Sequence, residues 1–139
     1  MKYVVDASIA VKWPVPEPLH DLADRLLTTD HELLAPDLLL VEFANVVWKK
    51  RRRGEIANVW IYTLALDDLP AICTLIPSDR LAARALELAD ELGHPVYDCL
   101  YLACAEAEHC PVVTADRRFL RAVAGTRHEP SVVALDALQ

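Results

Sequence analysis

Five short apolar runs, KYVVD, HELLAP, AICTLI, CPVVTAD and SVVAL, return along the chain between segments whose apolar residues recur at helical spacing. Parallel strands need a crossover between them, usually a helix, so this alternation constrains the fold more than any other feature. The runs are nearly continuous in hydrophobicity, which predicts a sheet covered on both faces. The expected strands are therefore 2–6, 31–36, 71–76, 110–114 and 131–135. Helices are expected over 18–28, over 37–53 with Asp37 as N-cap and Gly54 as stop, over 55–69, and over 78–92 with Ser78 as cap. A further helix holding Asp98 follows the break at Gly93-His94-Pro95, and a short basic one follows Asp116. No repeat, low-complexity tract or linker divides residues 1–139. One α/β domain is expected, long enough to bury roughly two thirds of its unfolded surface.

Two of these helices carry an acid where burial should forbid one. From Val96 to Ala105 the only charge is Asp98, and between Leu38 and Trp48 it is Glu42. Burying a carboxylate costs several kcal/mol unless something positive meets it. Ligand sites in open parallel sheets lie beyond the carboxyl ends of the strands. Asp6 ends the first strand, Asp116 closely follows the fourth, and Glu42 and Asp98 sit in the helices after Pro36 and Pro95. Four carboxylates could thus converge at one rim. They would repel one another unless protonated or neutralised. A hard divalent ion such as Mg²⁺ removes that conflict, and a pair of ions can activate water against a phosphodiester. Asn45, one turn after Glu42, and Ser8 and Thr114, two residues from Asp6 and Asp116, fit supporting roles. Each acid alone has another reading. Asp116 can cap the basic helix, Asp6 can serve a strand-to-helix turn, Glu42 can pair with a buried arginine, and Asp98 can interact with a helix dipole.

Composition narrows the function classes. The formal net charge of −7 disfavours nucleic-acid binding over the whole surface. Charge is nonetheless uneven, with KKRRR concentrated at 49–53. The cysteines form no C-x-x-C pair and the histidines show no ligand spacing, which disfavours a zinc site or disulfide framework. No apolar run reaches the roughly 18–20 residues of a membrane span. The opening MKYVVDAS lacks a signal-peptide core, so a cytoplasmic location is expected. A phosphatase with a strand-end aspartate nucleophile would want a second acid where Ser8 stands, and a receiver domain would need its acidic pair ahead of a mid-chain aspartate.

At these residues the chain resembles the PIN-domain ribonucleases, and within them the VapC-type toxins of toxin–antitoxin modules. VVDASIA resembles the family's opening strand and first acid, VEFAN its acid-x-x-Asn helix, YDCLYLACA its third-acid helix, and VTADRRF its fourth block. The resemblance implies a three-layer α/β/α fold around a mainly parallel sheet of four to five strands. It also implies Mg²⁺- or Mn²⁺-dependent endonucleolytic cleavage of RNA. Asp6, Glu42, Asp98 and Asp116 would be the catalytic and metal-binding set, holding two ions with substrate. The implied partners are an RNA substrate, a second copy in a homodimer, and a VapB-like antitoxin inserted into the catalytic groove. The helices over 37–69 are the expected antitoxin clip. Lys12, Arg51, Arg52, Arg53, Arg117 and Arg118 are candidate phosphate contacts. Trp13, Trp48, Trp60 and Tyr101 are read as core or dimer packing rather than base-stacking residues. The competing reading is a PIN-like module that has lost catalysis and acts by binding a protein.

Overall fold

Strands buried on both faces favour continuous β-branched and aliphatic runs, and the five apolar runs pair in that way. The computed structural model describes residues 1–28 and 30–138. In it β1 (Lys2–Val5), β2 (Glu32–Pro36), β3 (Thr74–Ile76), β4 (Val112–Thr114) and β5 (Val132–Ala134) form one sheet in the order β3-β2-β1-β4-β5. Every neighbouring pair is parallel. Val4, at the centre, is fully buried between Leu34 and Val112.

Among the described residues seven α-helices flank the sheet: α1 (Ala7–Ala10), α2 (His20–Thr28), α3 (Leu38–Arg52), α4 (Trp60–Ile72), α5 (Ala82–Leu92), α6 (Val96–Glu108) and α7 (Arg117–Val123). α6 lies against β1, β2 and β4 with α5 packed on it, while α1, α3 and α4 pack in series and reach the sheet at β4, β2 and β3. Every residue of α6 from Cys99 to Ala105 is buried, the pattern of a helix enclosed by its neighbours. Among the described residues no helix is long and apolar enough to cross a membrane.

The strand expected over 71–76 keeps only Thr74–Ile76, because Ala71 and Ile72 end α4, and two helix expectations also change. The helix expected from Glu55 begins at Trp60, where Asn58 Oδ1 accepts the Trp60 N–H at 3.1 Å, and it runs on through Pro70 to Ile72. Asp37 and Ser78 each stand near a helix start but cap neither. Asp37 Oδ1 instead accepts the Ser78 N–H at 3.1 Å and the Ser78 hydroxyl, tying the entry of α3 to the 3-10 turn at Ser78–Arg80.

Strand order fixes where a ligand can enter. From β1 the chain builds outward to β2 and β3, then places β4 and β5 on the other side of β1. The direction of winding reverses between β1 and β4, and a crevice opens at their carboxyl ends.

Candidate active site

Asp6 and Thr114 meet because Val5 pairs with Val113, so the next residue of each strand stands at the rim side by side. Thr114 Oγ1 donates to Asp6 Oδ2, and Ser8 Oγ donates to Asp6 Oδ1 at 2.5 Å. Both hydroxyls are fixed in turn. Ser8 Oγ accepts the Ala115 N–H at 2.8 Å, and Thr114 Oγ1 accepts the Asp116 N–H at 3.0 Å. Asp6 occupies the N-cap position of α1, yet its carboxylate makes no capping bond and is only 4 % exposed. A strand-to-helix turn therefore does not account for it.

Glu42 comes from α3, which buries Leu39, Phe43 and Val47 on its sheet side. Its Oε1 is buried and accepts no hydrogen bond. The neighbouring Tyr101 hydroxyl, on fully buried Tyr101, likewise completes no bond of good geometry although the two groups influence each other's proton affinity. Asp98 stands one residue before the buried stretch of α6. Its Oδ2 lies 2.5 Å from His94 Nε2, and the His94 ring stacks on Phe119 with centroids 5.7 Å apart and planes 9° apart. Asp116 caps α7 through Oδ1, which accepts the Arg118 N–H at 2.9 Å, and it also lines the cavity, so capping and cavity lining coexist.

All four acids line one cavity of about 420 Å³, together with Ser8, Lys12, Lys49, Lys50 and Arg53. Among the described residues none of the four forms an ion pair with Lys or Arg; Asp98 pairs with His94. The arginine partner considered for Glu42 is thus absent among them. Burial pushes Asp6 up to about 6 against the pull of Ser8 and Thr114, with Asp98 and Asp116 adding to the rise. Burial also pushes Glu42 up to about 7, reinforced by Asp98, Asp6 and Asp116. Asp98 is raised by burial too, opposed by His94. The carboxylates feel one another across the cavity.

The remaining candidates divide. Lys12 borders the cavity while pairing with Glu17 at 3.1 Å, and Arg53 borders it at the end of α3. Asn45 and Arg118 line an adjoining cavity of about 490 Å³. Arg51 and Arg52 line neither, and Arg52 lies over the Trp48 ring at 5.4 Å. Arg117 pairs with Asp136 at 2.6 Å. Of the aromatic residues, Tyr101 is buried and Trp13 is partly buried, donating to the Ala23 carbonyl at 2.9 Å, whereas Trp48 and Trp60 are exposed. His94 and Tyr101 were not legible as site residues from the sequence. His94 falls in a segment that reads as a loop, and Tyr101 in one that reads as core.

The donor set is that of a hard cation: carboxylate oxygens, hydroxyls close by, and one buried carboxylate oxygen, Glu42 Oε1, without a partner. Among the described residues no three His, Cys, Asp or Glu side chains gather tightly enough to cage an ion alone. Mg²⁺ does not require such a cage, since it usually keeps several waters and takes one or two carboxylates plus substrate oxygens. The residues fit a site of that kind.

Several known proteins are similar to this chain. The family model of the PIN domain matches residues 3–125, a span that includes all four acids. The chain is 34 % identical over 127 residues to Ribonuclease VapC3 of Pyrobaculum aerophilum, covering 85 % of this chain and 92 % of that protein. It is 31 % identical over 112 residues to Ribonuclease VapC31 of Mycobacterium tuberculosis, covering 76 % and 78 %. The fold is similar to the crystal structure of PAE2754 from Pyrobaculum aerophilum, with a TM-score of 0.69 at 24 % identity over 98 % of this chain and 85 % of that one. It is also similar to VapBC2 from Rickettsia felis, solved bound to a DNA fragment from its promoter, with a TM-score of 0.57 at 17 % identity over 96 % and 97 %. With its acids at one rim and this similarity over most of its length, the chain belongs to the PIN domain family, on the branch of the VapC ribonucleases.

Proposed function

We propose that this chain is a divalent-metal-dependent endoribonuclease, the toxin of a toxin–antitoxin pair. The observation that carries the reading is the convergence of Asp6, Glu42, Asp98 and Asp116, from four separate parts of the chain, on one cavity where none of them forms an ion pair with a Lys or Arg among the described residues. Bound by these carboxylates, Mg²⁺ or Mn²⁺ would supply an activated water and offset charge on the leaving oxygen of a phosphodiester. The chain's own residues do the positioning. Ser8 and Thr114 hold both oxygens of Asp6, and His94 holds one oxygen of Asp98. Lys49, Lys50 and Arg53 bring positive charge to the same cavity and suit the flanking phosphates.

Two features support a protein partner. Exposed Trp48 of α3 and Val59, the N-cap of α4, line a cavity of about 250 Å³ between these helices, and Trp60 and Leu64, one turn apart on α4, are exposed as well. VapBC assemblies are among the structures of similar fold. An antitoxin occupying this clip and reaching into the groove, and a second copy of the chain in a homodimer, complete the proposal.

Purified chain, freed of any antitoxin, should cleave RNA with Mg²⁺ or Mn²⁺, leaving 3′-hydroxyl and 5′-phosphate ends. Asp98→Asn should abolish cleavage. Cleavage that persists in EDTA, or 2′,3′-cyclic phosphate ends, would overturn the mechanism.

A further inference from the structure

One strip of α3 crosses the whole groove. Leu38, Glu42, Asn45, Lys49 and the C-cap Arg53 recur at three- and four-residue intervals with Val41 beside Glu42, and all of them line one or other of the two cavities that meet at the acids. At about 1.5 Å per residue the strip spans roughly 22 Å. Its chemistry changes along that length, from aliphatic at the N-terminal end, through the carboxylate and the amide, to cationic at the C-terminal end. Phosphates suit the cationic end. They do not suit the other, where Val41 is 67 % exposed and faces the same cavity as Tyr97, itself 64 % exposed.

Tyr97 immediately precedes Asp98 in α6, so an exposed aromatic ring borders the acids themselves. An aliphatic wall and a ring, with Asn45 and Arg118 on the rim as hydrogen-bonding groups, are the components that hold an unpaired base: a π-face to stack on and polar groups to meet its edge. A single strand offers a base and a phosphate in every repeat, matching an apolar pocket and a cationic track on either side of the carboxylates. Building on the ribonuclease reading, we infer that the cavity between the N-terminal ends of α3 and α6 is a nucleobase subsite. In it one unpaired base beside the scissile phosphate stacks on Tyr97 and packs against Val41. This subsite sets sequence preference, whereas Lys49, Lys50 and Arg53 set general affinity.

The test uses short single-stranded RNA oligonucleotides in Mg²⁺, bound by Asp98→Asn chain to prevent cleavage. Adding Tyr97→Ala should weaken binding on the order of tenfold, the range of one lost base stack, with the salt dependence of affinity unchanged because no phosphate contact is removed. Tyr97→Phe should bind like the parent. An oligonucleotide made abasic at the nucleotide next to the cut should lose the same affinity on the parent and none further on Tyr97→Ala, since the two changes remove one interaction. In chain with Asp98 intact, Tyr97→Ala should alter the distribution of cut sites. Equal binding by Tyr97→Ala, or abasic and Tyr97 losses that simply add, overturns the subsite. So does a Tyr97→Ala defect confined to binding a protein inhibitor, which would make this wall a protein contact. If the wild-type chain neither binds nor cuts the oligonucleotides, the ribonuclease reading falls and the subsite with it. If it cuts them with the same preference after Tyr97→Ala, only the subsite falls.

Discussion

His94 shows how one side chain outside the carboxylate set can govern it. Its imidazole fixes Asp98 Oδ2 at 2.5 Å and is itself held flat against Phe119, so rotation of the carboxylate would break a bond inside a packed stack. Outer groups of this kind typically contribute ten- to a hundredfold to metal affinity or activity. His94→Ala should therefore weaken calorimetric Mn²⁺ binding by about tenfold or more, while the circular dichroism of the fold stays that of the parent. Unchanged Mn²⁺ affinity would show that Asp98 needs no such support. Glu42 and Asp98 were legible in the sequence because a lone charge in an apolar helix has to be explained. His94 was hidden because it lies outside α6, before the N-cap Pro95, where the sequence reads as a break rather than as part of the helix register that carries Asp98. The cations show a second limit. KKRRR names five positive residues, but which of them face the groove depends on the phase of α3: Lys49, Lys50 and Arg53 line it, and Arg51 and Arg52 do not.

At the scale of elements, the hydrophobic pattern found the core of each strand and most of each helix from α2 onward, because burial on one or both faces writes itself into local hydrophobicity. It failed where a long-range bond replaced a local one. Asp37 and Ser78 each look like a helix cap, yet they are forty-one positions apart and bond to each other. A cap and a cross-link use the same residue types, so sequence alone could not separate them. The same link joins the end of β2 to the turn after β3, next to the entry of the helix that carries Glu42. Asp37→Ala should cost about 1 kcal/mol, the usual net value of such a bond, read as a lower urea midpoint with unchanged slope. A smaller loss in Ser78→Ala, which keeps the backbone N–H bond, and a double variant that loses no more than Asp37→Ala identify the shared link. Additive losses would return each residue to a separate capping role.

The whole molecule trades stability for its cluster of acids, and pH exposes the trade. Glu42 rises from 4.5 to about 7 on folding, and Asp6 from 3.8 to about 6. Between those values the folded chain holds protons that the unfolded chain has released. Stability therefore falls as pH climbs from about 4 through about 7. Glu91 acts in the opposite sense: Arg127 and His128 hold it down to about 2, so its contribution is lost as pH falls below about 4.5. Glu91 is common to a parent chain and a Glu42→Gln variant, and subtraction removes it. Metal-free Glu42→Gln should melt a few degrees above metal-free parent at pH 8, because it relieves both burial of a charge and repulsion from Asp6 and Asp98. The two melting curves should converge near pH 4, where both Glu42 and its unfolded counterpart are largely protonated. A divalent ion held at the proposed site would favour the ionised carboxylates and stabilise the fold by mass action, so Mn²⁺ should raise the melting temperature of the parent more at pH 8 than at pH 5. A Glu42→Gln chain no more stable than the parent at pH 8, with no pH-dependent gap between them, would mean that Glu42 is not held under electrostatic strain and that no ion is needed to relieve it.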